Sequence, residues 1–113
     1  SVEYAVEHLG TQLVVVMGHT QCGAVKTALK VDEGSSAGSP DLDKLLSDIR
    51  PRLKKINRSD VSASLDVESA LNADGVARDL VKRSEIIRKK VEEGHLKIKS
   101  ALYRIDSGKV SFY

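Results

Sequence analysis

The chain has 113 residues, 41% apolar and 30% charged, with a net charge of +2 and one cysteine. That length supports a single domain, residues 1–113, burying roughly two-thirds of its unfolded surface, and the ordinary charge content excludes wholesale disorder. One cysteine excludes an internal disulfide and an all-cysteine metal cage. No apolar run approaches the ~20 residues of a membrane span, nothing at the amino end reads as a signal segment, and the small net charge gives no nucleic-acid character.

Ser1 to Gly10 reads as a helix, with Ser1 as its cap, apolar positions at Val2, Tyr4, Ala5, Val6 and Leu9, and Gly10 as its stop. Leu13 to Gly18 is a continuous, mostly β-branched apolar run without alternation, the pattern of a strand buried on both faces of a parallel sheet. A tight turn, Gly18-His19-Thr20-Gln21, leads into a helix from Cys22 to about Val31. The polar stretch 33–40, Glu-Gly-Ser-Ser-Ala-Gly-Ser-Pro, predicts a flexible loop. From Asp41 to Ile56 leucines and isoleucines recur at helical spacing, and Pro51 should kink or split that helix. After a polar connector, 57–64, one long helical pattern runs from Leu65 to about Glu93 and stops at Gly94. Leu96 to Ile105 predicts a strand, and Asp106-Ser107-Gly108-Lys109 turns the chain back into a short hairpin partner, Val110 to Tyr113.

This order predicts an α/β fold, a mostly parallel three-layer sheet with helical crossovers and a C-terminal β-hairpin. The sheet is expected to be incomplete. A strand as apolar as Leu13 to Met17 needs a neighbour on each edge, yet only Leu96 to Ile105 offers a full-length partner. The other edge would be open, long and hydrophobic, so another subunit or further chain should cover it.

His19 and Cys22 stand three apart, just past the carboxyl end of the apolar strand, where sites collect in open α/β sheets. Cys22 opens the following helix, whose positive end favours the thiolate. Imidazole plus thiolate suits zinc. Alone, such a pair is met more often in structural positions than in metal sites.

The surrounding sequence adds to this. Ser-Val-Glu-Tyr-Ala-Val-Glu-His-Leu-Gly at 1–10, then Leu-Val-Val-Val-Met-Gly-His-Thr-Gln-Cys-Gly-Ala-Val at 13–25, closely resembles the β-class carbonic anhydrases. Gly94 to Ile98 and Ala101 to Phe112 resemble the closing strand and hairpin of the same family. The resemblance spans nearly the whole chain and is least distinctive over 33–64. It implies a Rossmann-like sheet, reversible hydration of carbon dioxide to bicarbonate, a zinc cofactor, and a homo-oligomer. It also implies that His19 and Cys22 are zinc ligands and that Gly23 is the small residue beside the ligand, where bulk would crowd the substrate.

The chain departs from that family at one point. The family's third protein ligand is a cysteine in a Cys-x-Asp-x-Arg motif on an earlier strand, and these 113 residues contain neither that cysteine nor its Asp-Arg pair. The missing strands are expected before Ser1. By itself the chain is expected to be poorly active or inactive.

Several features imitate a site. Asp48-Ile49-Arg50 matches Asp-x-Arg, but it falls in a helical pattern after the strand and reads as a solvated helix face. Gly18 to Gly23 followed by Lys26-Thr27 imitates a phosphate-binding loop, yet Lys26 is turned about 200° from where a phosphate-binding lysine belongs. His8 and His95 read as surface residues, and Tyr103 as packing. The basic stretches 50–58 and 82–90 are interspersed with acids and lack aromatic stacking residues.

Two functions compete. One is the zinc-carrying half of a carbonic anhydrase, with the remaining ligands supplied from outside these residues. The other is a truncated or degenerate non-catalytic relative, an oligomerising scaffold or weak metal binder. One form of it has two chains pooling His19 and Cys22 in a closed structural zinc site. The unpaired cysteine and the lack of a signal segment favour the cytoplasm.

Overall fold

The computed structural model describes residues 1–32 and 34–113. The first helix, α1 (Val2–His8), is followed by strand β1 (Leu13–His19) and helix α2 (Gly23–Lys30). Helix α3 (Pro40–Ile49) passes into a 3-10 turn over Arg50–Leu53, and α4 (Asp66–Arg83) is followed by α5 (Glu85–Glu92). Strands β2 (Lys97–Tyr103) and β3 (Val110–Phe112) close the chain.

Among the described residues the sheet has the order β1-β2-β3. β1 and β2 are parallel, with Leu13 opposite Lys97 and His19 opposite Tyr103. β3 returns antiparallel, with Ala101 opposite Phe112 and Tyr103 opposite Val110. The expected mostly parallel sheet with a C-terminal hairpin is therefore present, and β1 is its open edge.

Burial along β1 differs from the sequence expectation. The strand alternates, with Leu13, Val15 and Met17 exposed and Val14, Val16 and Gly18 half-buried. One reason is that the packed helices lie on one face. A Cβ on Gly18 would meet the Ser69 carbonyl and Ala73 of α4, and Val14 and Ile98 pack into the cluster of Val6, Ile87 and Leu96. The opposite face, carrying Leu13 (53% exposed), Met17 (49%) and Phe112 (62%), has no layer over it among the described residues. A second core joins α2, α3 and the 3-10 turn through Val25, Leu29, Leu46, Ile49 and Leu53.

Element boundaries follow local chemistry. Ser1 occupies the cap position of α1, but its side chain makes no capping hydrogen bond, contrary to expectation. Gly10 and Gly94 adopt positive φ just beyond α1 and α5, as the expected stops require. Pro40 belongs to α3 rather than to the loop: it sits in the first turn, where its missing N–H costs nothing, and the Ser39 hydroxyl accepts from Leu42 N–H. Pro51 does end that helix, and the chain tightens into the 3-10 turn. The expected long helix is interrupted at Ser84, whose backbone is extended. Its hydroxyl accepts from Ile87 N–H to cap α5 and donates to Glu3 on α1 at 2.7 Å.

Glu33, the first residue of the loop expected at 33–40, lies outside the described residues. Further along, the Asp43 carboxylate accepts from Ala37 N–H at 2.7 Å and from the Ser36 hydroxyl at 3.4 Å.

Candidate metal centre

His19 is the last residue of β1, and Cys22 is the cap residue of α2, with its carbonyl accepting from Lys26 N–H. The two residues between them are held separately. Thr20 is buried, its N–H donates to Tyr103 O at 3.0 Å, and its hydroxyl accepts from Ile105 N–H at 3.0 Å. Thr20 thus fastens the end of β1 to the end of β2. Gln21 has φ 57°, the left-handed region that residues with a side chain seldom occupy. Its N–H donates to Ser64 O at 2.8 Å and its side-chain amide to Ala63 O at 3.1 Å.

His19 Nδ1 lies 2.9 Å from the Thr20 carbonyl oxygen. A carbonyl only accepts, so this bond requires the proton on Nδ1 and leaves the Nε2 lone pair free for a metal. A backbone carbonyl in this role is the usual outer support of a ligating imidazole. Cys22 is a free, half-buried thiol. The pair therefore supplies one nitrogen and one sulfur donor of the kinds zinc takes. Among the described residues no group of three or more His, Cys, Asp or Glu side chains could hold a metal ion. The residues present fit part of a zinc set and not the whole of it. A Cβ added at Gly23 would meet nothing within 4 Å, so the space beside the cysteine is open.

Approach of the helix layer to the site depends on Gly18. A Cβ there would stand 2.7 Å from the Ser69 carbonyl oxygen, so only glycine lets α4 lie this close to β1. The first turn of α4 carries Glu68, 2% exposed, whose carboxylate accepts from both the N–H and the hydroxyl of Ser62. Burial pushes the Glu68 carboxyl up, but the Ser62 hydroxyl and amide outweigh it and hold the group below its ordinary value. Beside it, Asp66 is also held low, chiefly by the Ser62 hydroxyl.

The other sequence candidates lie in different settings. The His8 ring is 5.0 Å from that of Tyr4 at the end of α1, and His95 Nδ1 is 3.4 Å from a Glu93 carboxylate oxygen. Asp48 is half-exposed and 3.9 Å from Arg83. Arg50, expected on a solvated face, instead reaches back across the second core to donate to Val31 O at 3.0 Å. Arg52 and Arg83 pair with Asp79, and Lys89 with Glu85, so both basic stretches are partly neutralised. No described helix is long and apolar enough to cross a membrane.

The family model described as "Carbonic anhydrase" matches residues 1–110. The solved β-carbonic anhydrase CcaA superposes with a TM-score of 0.80 at 28% identity, over 99% of this chain and 51% of that one. The chain belongs to the β-carbonic anhydrase family. Carbonic anhydrase 2 of Mycobacterium tuberculosis is 31% identical over 110 residues, covering 96% of this chain and 52% of that protein. The carbonic anhydrase of Synechococcus elongatus is 30% identical over 112 residues, covering 97% and 41%. A tetrameric β-carbonic anhydrase of Sordaria macrospora shares the fold, with a TM-score of 0.80 at 22% identity over 98% of this chain and 56% of that one. The chain thus spans about half the length of the curated carbonic anhydrases it matches.

Sequence reasoning singled out His19, Cys22 and Gly23 but missed Thr20, Gln21, Ser62 and Glu68. Nothing in a Thr-Gln dipeptide announces a left-handed residue. The Glu68 carboxylate could have been suspected from its place in the first turn of α4, three residues after Leu65, behind a serine-rich connector.

Proposed function

We propose that this chain carries the zinc-binding turn of a β-class carbonic anhydrase, catalysing reversible hydration of carbon dioxide to bicarbonate. His19 Nε2 and the Cys22 sulfur would hold the metal, with the remaining ligands and the Asp-Arg pair supplied from outside these 113 residues. The observation that carries the reading is the bond from His19 Nδ1 to the Thr20 carbonyl, which aims a metal-competent Nε2 from the same four-residue turn as the only thiol.

Zinc bound there supplies a Lewis acid that readies a water for attack on carbon dioxide. The chain's own residues do the rest. Thr20 fixes the imidazole through its carbonyl and ties the turn to β2. Gly23 leaves open space beside the cysteine, through which a small linear substrate can approach. The cytoplasm suits an unpaired thiol, and the uncovered apolar sheet face supports assembly into a homo-oligomer.

The test is a zinc determination paired with a carbon dioxide hydration assay. The 113-residue chain alone is expected to bind zinc weakly and to hydrate at background. Joined to a segment supplying the missing ligands, it should hydrate carbon dioxide, and Cys22→Ser should abolish that activity. Full, zinc-saturated activity from the chain alone would contradict the proposal that ligands lie elsewhere. Undiminished activity in Cys22→Ser would contradict the site.

A non-catalytic scaffold is the second reading, favoured by the absence, among the described residues, of a third donor grouped with His19 and Cys22, alongside an apolar face suited to assembly. A stable oligomer that stays inactive when the missing ligands are supplied would establish it.

A further inference from the structure

The two donors of the metal turn are separated by Thr20 and Gln21, so their relative placement is set by the backbone of those two residues. Thr20 is fixed to β2 by its own amide and hydroxyl. Gln21 has no such attachment to the sheet and sits in the left-handed region, which is unfavourable for a residue with a Cβ. A strained residue persists only where its surroundings over-determine it. Here the surroundings are the Ser62–Leu65 turn, which receives both the Gln21 amide and its side-chain amide.

That turn is itself strained and pinned. Leu65, at its end, is the only other described non-glycine residue with positive φ, at 56°, and it is buried in the second core. Leu65 N–H donates to Ser62 O at 3.2 Å. The Ser62 amide and hydroxyl both donate to the buried Glu68 carboxylate, the amide at 2.9 Å. Gln21 therefore meets the turn that ends at Leu65 through two hydrogen bonds, to the carbonyls of Ser64 and Ala63, and a buried carboxylate holds that turn in place. A cap on α4 alone would not require the Gln21 side chain to reach Ala63.

We propose that Gln21 is a positioning residue that sets the separation of the His19 and Cys22 donors, and that Glu68 holds the turn against which Gln21 is set. This rests on the reading of His19 and Cys22 as metal donors. The linkage runs from the Glu68 carboxylate to Ser62, through the carbonyls of Ala63 and Ser64 to Gln21, and so to both donors. Removing an outer support of this kind weakens a metal site without touching a ligand, typically by about 10–100-fold in affinity.

The test uses cobalt(II) as the probe, because its bond to the Cys22 sulfur gives a thiolate charge-transfer band and its ligand-field bands report geometry. Wild type, Gln21→Ala, Gln21→Gly and Glu68→Gln are titrated with cobalt, and amide exchange at Gln21 is followed without metal. Gln21→Ala and Glu68→Gln should each lower cobalt affinity by about tenfold or more and shift the ligand-field bands. Gln21→Gly, which adopts positive φ freely but lacks the side-chain bond, should give a smaller loss. The Gln21 amide should exchange faster in Glu68→Gln. Equal affinity and unchanged bands in folded Gln21→Ala would overturn the proposal. The titrations use each variant joined to the segment that supplies the remaining ligands; failure of that wild type to bind cobalt would count against the metal reading, and the exchange measurement would still decide the linkage. Undiminished protection of the Gln21 amide in Glu68→Gln would overturn it.

Discussion

Gly18 shows how much a single residue decides beside the His19–Cys22 turn. Its missing side chain is what allows the Ser69 carbonyl of α4 to sit against the end of β1. In Gly18→Ala the new Cβ would lie 2.7 Å from that carbonyl oxygen and 3.4 Å from Ala73 Cβ, so the helix itself must move. The expected cost is about 1–3 kcal/mol, read as a lower denaturation midpoint with an unchanged slope. A midpoint equal to that of wild type would mean that α4 is not seated as described. At this scale the sequence was most informative for the donors. His19 and Cys22 stood out because the chemistry of an imidazole and a thiol is visible in the letters, whereas Gly23 was singled out only by the resemblance to the family. The conformation of Gln21 was not visible, because it is imposed by carbonyls forty residues away.

At the scale of elements, α4 is joined to the 3-10 turn by Arg52. Its guanidinium donates twice to Asp79, at 2.8 and 3.1 Å, and once to Asn72 at 3.3 Å. Gly75 makes room for the stem of the same side chain, since a Cβ there would stand 2.7 Å from Arg52 Cγ and Cδ. The Arg52 hydrogen bonds, opposed by burial and aided by the positive charge, hold the Asp79 carboxyl below its usual 3.8. A carboxyl depressed by folding contributes stability that is fully present above its unfolded value and is lost as pH falls through the folded one. Arg52→Ala is therefore expected to lose about 2 kcal/mol at neutral pH. The gap from wild type should narrow only as pH falls below about 4, the ordinary range of an unfolded aspartate, and through the lower folded value. A gap that stayed constant down to pH 2 would show the loss to be packing alone. The elements themselves were largely legible, the helices because their apolar periods match their burial and β1 from its apolar run, although its burial alternates. Among the helices the largest departure was the break at Ser84. There the 3.6-residue pattern continues across the gap, and a serine at a cap looks the same as a serine within a helix until Glu3 and Ile87 N–H are seen to claim its hydroxyl.

For the whole molecule, the largest feature is the uncovered sheet face with its open β1 edge. The expectation that β1 is buried on both sides read the apolar run correctly as a sequence property, but these residues cover only one side of it. Leu13, Val15, Met17 and Phe112 remain exposed together on paired strands. An apolar face of this kind is what assembly would bury. Sedimentation velocity is expected to show a dimer or larger species, shifted towards monomer in Met17→Glu. A wild-type chain that stays monomeric as its concentration rises would contradict that. The fold and family could be read from the sequence because strand, turn and hairpin lie in order along it. The same reading found two candidate donors, His19 and Cys22, and placed the others outside these residues, but two donors alone do not fix the geometry that the others would complete.

The roles proposed for His19 and Cys22 are decided by the coordination of zinc in the loaded protein, read by X-ray absorption at the zinc edge. Sulfur and imidazole nitrogen are expected together around the metal, with the sulfur signal lost in Cys22→Ser and the imidazole signal reduced in His19→Ala. A zinc environment with no sulfur, or one unchanged by either substitution, would contradict those roles.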